Sequence, residues 1–497
     1  MPRKLLRRAL PLIFVWSFVA SAQDAGLALR TSVGYNTQKA SLPLSDQQRQ
    51  EADRLGQQAQ QAAQAGKYGD AMRCYFQGIA IMHNLSWTPA YEFASSLHGQ
   101  LDHAMVEPGK EVTLTLSPYY KSDRSPGTAT ASVFLVPSKG GAEDTGLVSG
   151  LKLDPASLPF TTRVTLPASL TGDYNLEVRL AADGDVPAAD ARSAFVKDLP
   201  LHVESLSDAA ERLRGRLAKS KKDSAALATA EYALALYERA DKSEINPTRY
   251  NFREEFAAAN TIIDAVDQGR DPFAGKRGDF RKAYRSGADH TLQPYRLLIP
   301  ASYDPSKAWP LLVALHGMGG DENSMFDGYH EALKREAERV GFIVVCPKGR
   351  DTASMYRGTA EQDVVDVIAL VERDYRVDSK RVYLMGHSMG GYGTWSVAMN
   401  HPELFAALGP ISGGGDTSGL AKIRTIPEYV VHGDNDKTVS VLQSRRMVEA
   451  GKSLGINITY VEVPGGSHVS VAEPAFGAML DFFAKQQQGG DSAVKTQ

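Results

Sequence analysis

Hydrophobic and polar positions change texture several times along the chain. From Leu44 apolar residues recur at helical spacing, and Ser45 with Gln48 has the form of a capping box. Gly66 interrupts this pattern, and the run Ala71–Met82 then forms a second apolar helical face. A helical hairpin region is therefore expected over 44–107. Beyond Pro108-Gly109 the period shortens to two. Val112–Leu116, Ala129–Val136, Thr161–Leu166 and Tyr174–Leu180 alternate, with turn residues at Thr171-Gly-Asp173 and Ala182-Asp-Gly184. Short alternating strands predict a β-sandwich module over 108–204. Ala/Leu/Glu-rich helices return over 205–270, and Arg270–Gly275 reads as a linker. Over 276–486 near-continuous apolar strands alternate with helices. The strands are Tyr295–Pro300, Leu311–Leu315, Phe342–Cys346, Val382–Met385, Ala406–Ile411, Glu428–Val431 and Ile458–Val463. Helices are expected near Tyr329–Val340, Val364–Asp374, Tyr392–Met399, Val441–Leu454 and Glu473–Lys485. Strands that are apolar on both faces predict a mostly parallel, doubly wound sheet covered by helices.

Both ends read differently from the body. Pro2–Arg8 is basic, Ala9–Ala20 is apolar but short for a membrane span, and Ala20-Ser-Ala22 is a small-residue cleavage site. Residues 1–22 are expected to be a signal peptide cut after Ala22. That predicts an exported protein, periplasmic or extracellular, without a stable membrane anchor. Residues 487–497 are expected to form a flexible tail. A net charge of −3 over 497 residues offers no basic field for nucleic acid.

The chemistry concentrates at predicted strand ends, where open α/β sheets bind ligands. Gly386-His-Ser-Met-Gly390 is G-x-S-x-G between a strand and a helix. In that context the pattern is a nucleophile elbow: the turn exposes Ser388, and the backbone N–H of Met389 is a candidate oxyanion donor. After Leu315 comes His316-Gly-Met-Gly-Gly320, a small-residue turn suited to an oxyanion loop. Met318 or Gly317 is the expected second donor. After Val431 comes His432-Gly-Asp-Asn-Asp436, with two candidate carboxylates, and after Val463 comes Pro464-Gly-Gly-Ser-His468. Ser, then Asp, then His is the chain order of the α/β-hydrolase triad. His316, His387 and His432 sit at loop and turn positions of these motifs, so no metal and no cofactor is expected.

These pieces together make the segment Tyr295–Phe483 resemble the exported esterase branch of the α/β-hydrolases. It is similar to polyhydroxyalkanoate-depolymerase-like and feruloyl-esterase-like enzymes, and to the catalytic domains of prolyl-oligopeptidase-like proteins. The resemblance covers less than half of the chain, and no seven-bladed propeller is visible in the N-terminal half. It implies an α/β-hydrolase fold over 276–486 and a triad of Ser388, Asp436 and His468. Asp436 follows from the family's H-G-x-x-D spacing. The implied function is an exported serine carboxylesterase acting on an ester, free or carried by a polysaccharide or polymer. Two alternatives stand beside it: a prolyl-oligopeptidase-like peptidase using the same triad, and a carbohydrate- or surface-binding protein with an inactive hydrolase scaffold. Gly172-Asp-Tyr-x-Leu-x-Val178 resembles a late strand of Ig-like domains.

Overall fold

The computed structural model describes residues 16–489 apart from 123, 125, 141–142, 183–191, 221–223 and 352, with backbone alone for Trp16–Asp24. Most of the expected signal peptide, and the expected tail from 490 onward, lie outside the described residues. The chain divides into two compact units: one up to Glu204 together with Asp241–Thr248, the other comprising Ser205–Ala240 and everything from Arg249.

The first unit opens with three helices, α1 (Trp16–Ser41), α2 (Asp46–Gln64) and α3 (Tyr68–Met82). The capping box forms at Ser45, whose side chain accepts from the Gln48 N–H while Gln48 reaches back to the Ser45 backbone. The sequence pattern predicts helix only from Leu44, yet α1 precedes it. Its anchor is one residue: Tyr35 is fully buried and its hydroxyl donates to the Ala52 carbonyl at 2.6 Å. Gly78 makes room for that ring, since a Cβ there would lie 2.3 Å from the Tyr35 oxygen.

Helix α4 (Pro89–Ser96) leads into β1 (Leu97–Leu101), β2 (Met105–Val106), β3 (Glu111–Pro118), β4 (Ala129–Pro137), β5 (Thr145–Leu153), β6 (Phe160–Thr165) and β7 (Gly172–Ala182). The short α5 (Arg192–Phe195) and β8 (Val196–Val203) follow. The strands form a three-stranded sheet, β1-β3-β6, and a five-stranded sheet, β2-β8-β7-β4-β5. One buried cluster takes Leu114, Leu116 and Val164 from the first sheet and Val133, Leu176, Val178 and Leu201 from the second. The β region therefore starts at Leu97 rather than at 108. Leu97-His-Gly-Gln-Leu101 is too short and too glycine-broken to announce itself by alternation, but its register with β3 buries both leucines.

The second unit contains α6 (Ser207–Lys219), α7 (Leu227–Asp241, whose last residue falls in the first unit) and α8 (Phe252–Asp267). An eight-stranded sheet follows: β9 (Gly278–Arg285), β10 (Leu292–Ile299), β11 (Trp309–Leu315), β12 (Ile343–Pro347), β13 (Val377–His387), β14 (Ala407–Ile411), β15 (Glu428–Gly433) and β16 (Ile458–Val463). The interleaved helices are α9 (Ser324–Asp327), α10 (Ala332–Val340), α11 (Thr359–Asp374), α12 (Met389–Asn400), α13 (Leu442–Ser453) and α14 (Ala472–Phe483). Strand order is β16-β15-β14-β13-β11-β12-β10-β9. The sheet is mixed: β11 to β16 pair in parallel, whereas β10 runs antiparallel to both β12 and β9. This is the α/β-hydrolase arrangement, with the middle of the sheet parallel and buried on both faces.

Three details depart from the sequence expectation. The stretch 270–276 is packed rather than a free linker, because Phe273 is buried and stacks on Phe280 of β9 at 6.1 Å. The helices of 205–270 correspondingly share a unit with the sheet. The helix expected from Tyr329 starts only at Ala332, since Tyr329, His330 and Glu331 have φ of 53°, 50° and 58° and form a left-handed turn.

Candidate active site

Strand β13 enters the site as a buried apolar run and must turn sharply into α12. Two glycines make the turn sterically possible. A Cβ at Gly386 would lie 2.4 Å from the Gly390 oxygen, and one at Gly390 would lie 2.1 Å from the Leu315 oxygen. Between them Ser388 adopts φ 58°, ψ −117°, a strained backbone for a residue with a side chain. Its N–H donates to the Ile411 carbonyl at 2.9 Å, which ties the strained residue to β14. The hydroxyl is left at the head of the helix, only half-buried.

His468 arrives from the turn after β16. Its Nε2 stands 2.8 Å from Ser388 Oγ and its Nδ1 stands 2.7 Å from Asp436 Oδ2. The expected Ser388, His468 and Asp436 are thus brought into one hydrogen-bonded relay. Asp434 is not part of it. That residue is exposed, and its carboxylate accepts the Gly465 N–H at 2.7 Å, so it holds the histidine turn from outside. The two turns lie so close that a Cβ on Gly433 would be 2.1 Å from the Gly466 oxygen.

Asp436 is buried, which by itself would raise its pKa, but its hydrogen bonds outweigh burial. His432 and His468 donate to Oδ2, and the backbone N–H groups of Thr438 and Val439 donate to Oδ1 at 2.8 and 2.9 Å. The carboxyl is held well below the usual carboxylate range. An anion so fixed can accept the Nδ1–H of His468 and so orient its Nε2 toward Ser388 Oγ.

The oxyanion candidates flank the serine. Met389 is the first residue of α12, where N–H groups lack a carbonyl partner within the helix. The loop of Gly317 and Met318 leaves β11, which pairs with β13 as far as Leu315 with Gly386. A Cβ on Gly317 would be 3.4 Å from Ser388 Cβ, so this backbone lies directly beside Ser388. The loop is braced by buried His316, whose ring nitrogens lie 2.8 Å from the Gly317 oxygen and 2.6 Å from the Lys348 oxygen. Tyr356 is fully buried and donates its hydroxyl to the His316 carbonyl at 3.3 Å.

Two histidines taken from the sequence as turn residues do more. His387 is buried, and burial lowers its pKa to about 4, so the ring is neutral. Its Nε2 faces the His468 carbonyl at 2.8 Å and must carry the proton, while Nδ1 accepts from the Tyr329 hydroxyl at 2.8 Å. Ser412 donates to the same His468 carbonyl at 3.1 Å. His432 Nε2 faces the Val439 carbonyl at 2.9 Å and Asp436 at 3.1 Å, and its Nδ1 lies 2.7 Å from Ser444 Oγ. One holds the backbone of His468 and the other the carboxylate of Asp436. Their positions inside the G-x-S-x-G and H-G-x-x-D motifs were the available signal. A cavity of about 460 Å³ adjoins the histidine turn, lined by Ser324, Gly328, Tyr329, His330, Val469, Ser470 and Glu473.

Residues 293–444 match the family model described as "Putative esterase". The bifunctional acetylxylan esterase/xylanase XynS20E of Neocallimastix patriciarum is 32% identical over 168 residues, 33% of this chain and 24% of that protein. Feruloyl esterase B of Neurospora crassa is 36% identical over 115 residues, 21% of this chain and 38% of that protein. A "Probable feruloyl esterase C" of Aspergillus oryzae is 28% identical over 207 residues, 40% of this chain and 76% of that protein. The chain thus spans less than half the length of the first two of these relatives. Among solved structures, a thermostable esterase aligns with TM-score 0.40 at 18% identity, covering 79% of this chain and all of that one. A ferulic acid esterase aligns with TM-score 0.37 at 18% identity, covering 41% and 97%. Residues 293–444, in the C-terminal domain, thus match an esterase family model, and the chain is similar in sequence to acetylxylan and feruloyl esterases.

Proposed function

We propose that this protein is an exported serine esterase that cleaves carboxylic esters through an acyl-enzyme on Ser388. The observation that carries the proposal is the relay from Ser388 Oγ through His468 to buried Asp436, built on a serine with φ 58°. In the first half-reaction His468 Nε2 takes the Ser388 proton as Oγ attacks the ester carbonyl. The tetrahedral oxyanion is stabilised by the N–H of Met389 and that of Met318 or Gly317. His468 returns the proton to the leaving alcohol, and the acyl group remains on Oγ. Water, deprotonated by the same imidazole, then releases the acid and restores the hydroxyl. Asp436 fixes the imidazole tautomer and compensates its transient charge.

The names of the relatives, an acetylxylan esterase and feruloyl esterases, support an ester carried by a plant-cell-wall-type polysaccharide as the substrate class. Exposed Val469, next to His468, gives the site an apolar rim suited to an acyl group. Export rests on the sequence of residues 1–22. For the N-terminal unit, two sheets sharing one apolar cluster support the reading as a β-sandwich of Ig-like kind. The test is turnover of p-nitrophenyl acetate, methyl ferulate and acetylated xylan beside a panel of peptide amides. Ester turnover without amide turnover is expected. Preferential amide turnover would make the protein a peptidase, and no turnover of either would leave the binding scaffold as its role.

A further inference from the structure

The N-terminal unit contains a lysine where a core residue belongs. Strand β8 alternates, and its Leu201 and Val203 are buried in the shared core of the two sheets. Leu199 lies on the same face: a Cβ on Gly99 of β1 would be 2.9 Å from Leu199 Cδ1. Period two places Lys197 next on this face, half-buried, while its neighbour Asp198 is exposed at the rim of the same cavity. Asp198 lines the same cavity, but among the described residues it forms no ion pair with the ammonium. Among the described residues Lys197 makes no ion pair or side-chain hydrogen bond, and burial alone lowers its pKa, to about 8. A half-buried ammonium that forms no ion pair departs from the pattern of Leu199, Leu201 and Val203 on the same face.

The lysine lines a cavity of about 580 Å³, within the usual range for small-molecule sites. Aromatic rings make up much of the wall. His98 stacks on Tyr119 at 4.5 Å, Phe76 lies 6.3 Å from Tyr119, and Tyr91 completes the set. Polar groups are present but occupied, as His83 Nε2 pairs with the Gln38 amide oxygen at 2.9 Å.

We propose that this cavity binds a small carboxylate carried on a ring, the carboxylate facing Lys197 and the ring lying against the aromatic wall. An aromatic acid and a uronic acid share this chemistry: each carries a carboxylate on a ring that offers an apolar surface to the wall, the π face in one and a patch of axial C–H groups on the pyranose chair in the other. The proposal is independent of the esterase reading, because every residue it uses lies in the N-terminal unit.

Isothermal titration of the full-length protein with 4-hydroxycinnamate and with D-glucuronate tests it, against 4-hydroxycinnamyl alcohol and D-glucose as neutral counterparts. At least one acid is expected to bind with Kd below about 1 mM, at least tenfold more tightly than its neutral counterpart. Which acid binds identifies the ring. Lys197→Met keeps the stem and removes the charge, so it should weaken binding at least tenfold while ester turnover stays at the wild-type level. Without ligand it should melt no lower than wild type, since the charge it removes has no partner. Lys197→Gln serves as the second variant if Lys197→Met does not fold. No binding of either acid by wild type up to about 10 mM, or undiminished binding by the folded variant, would overturn the proposal.

Discussion

Asp436 accepts two imidazole N–H groups and two backbone N–H groups, so the fold stabilises its negative charge. Asp436→Asn keeps the shape but removes the charge, and should lower kcat by roughly 10³ to 10⁴. Asp434 makes one bond, to the Gly465 N–H across the turn. Asp434→Asn should cost less than about tenfold in kcat and show its effect in melting temperature instead. Measuring turnover and melting for both variants checks the assignment, which fails if their effects are exchanged. His387 acts one step further away, through the His468 carbonyl. His387→Gln should lower kcat by on the order of tenfold, the value of one well-placed hydrogen bond, with KM nearly unchanged. A loss confined to melting temperature would reduce His387 to packing. The residues of the proposed triad could be picked out from the sequence because each follows a short apolar strand and sits in a glycine-bearing turn. The support that Tyr329, His387 and Ser412 give could not, because it joins turns far apart in the chain, whereas His432 reaches Asp436 within one turn.

At the scale of elements, the parallel strands were legible because both their faces are buried and they read as unbroken apolar runs. Strand β9 was not. Gly278–Arg285 carries Arg281 and Lys282, whose charges are satisfied by Glu255 of α8 at 2.6 Å and Asp374 of α11 at 2.5 Å. A hydrophobicity pattern contains no trace of such distant partners. Strand β15 holds a further prediction. Glu428 is fully buried at its start, receives the Trp395 indole N–H at 3.0 Å, and has its other oxygen without a partner among the described residues. Burial pushes its carboxyl up to about 7, although the Trp395 bond works the other way. The native state therefore holds a proton that the unfolded chain gives up near pH 4.5. The contribution is fully present below that pH and is lost as pH rises through 7. Glu428→Gln keeps the acceptor and cannot ionise. Its stability relative to wild type should rise between about pH 5 and 8, by roughly 3 kcal/mol at the upper end. Urea unfolding of both proteins across that range checks this, and a pH-independent difference would contradict it.

At the scale of the whole molecule, the division of the chain was only partly legible. Composition separates helical from strand-rich stretches, but it cannot say which helices join which core. Helices α6 and α8 belong with the catalytic sheet, and Phe273 and Arg281 are the residues through which the stretch after α8 and strand β9 pack into that unit. The proposed export makes a separate prediction: N-terminal sequencing of the mature protein should find Gln23 at or near its start. A mature chain still carrying residues before Leu10 would contradict it. The central claim is covalent chemistry at Ser388, and one comparison reaches it directly. Wild type and Ser388→Ala are assayed on p-nitrophenyl acetate after both are shown to melt alike, and each is treated with a fluorophosphonate probe. The variant is expected to lose roughly 10⁴ to 10⁶ in kcat, and the probe to label wild type alone. Wild-type turnover by a folded Ser388→Ala protein would contradict the claim.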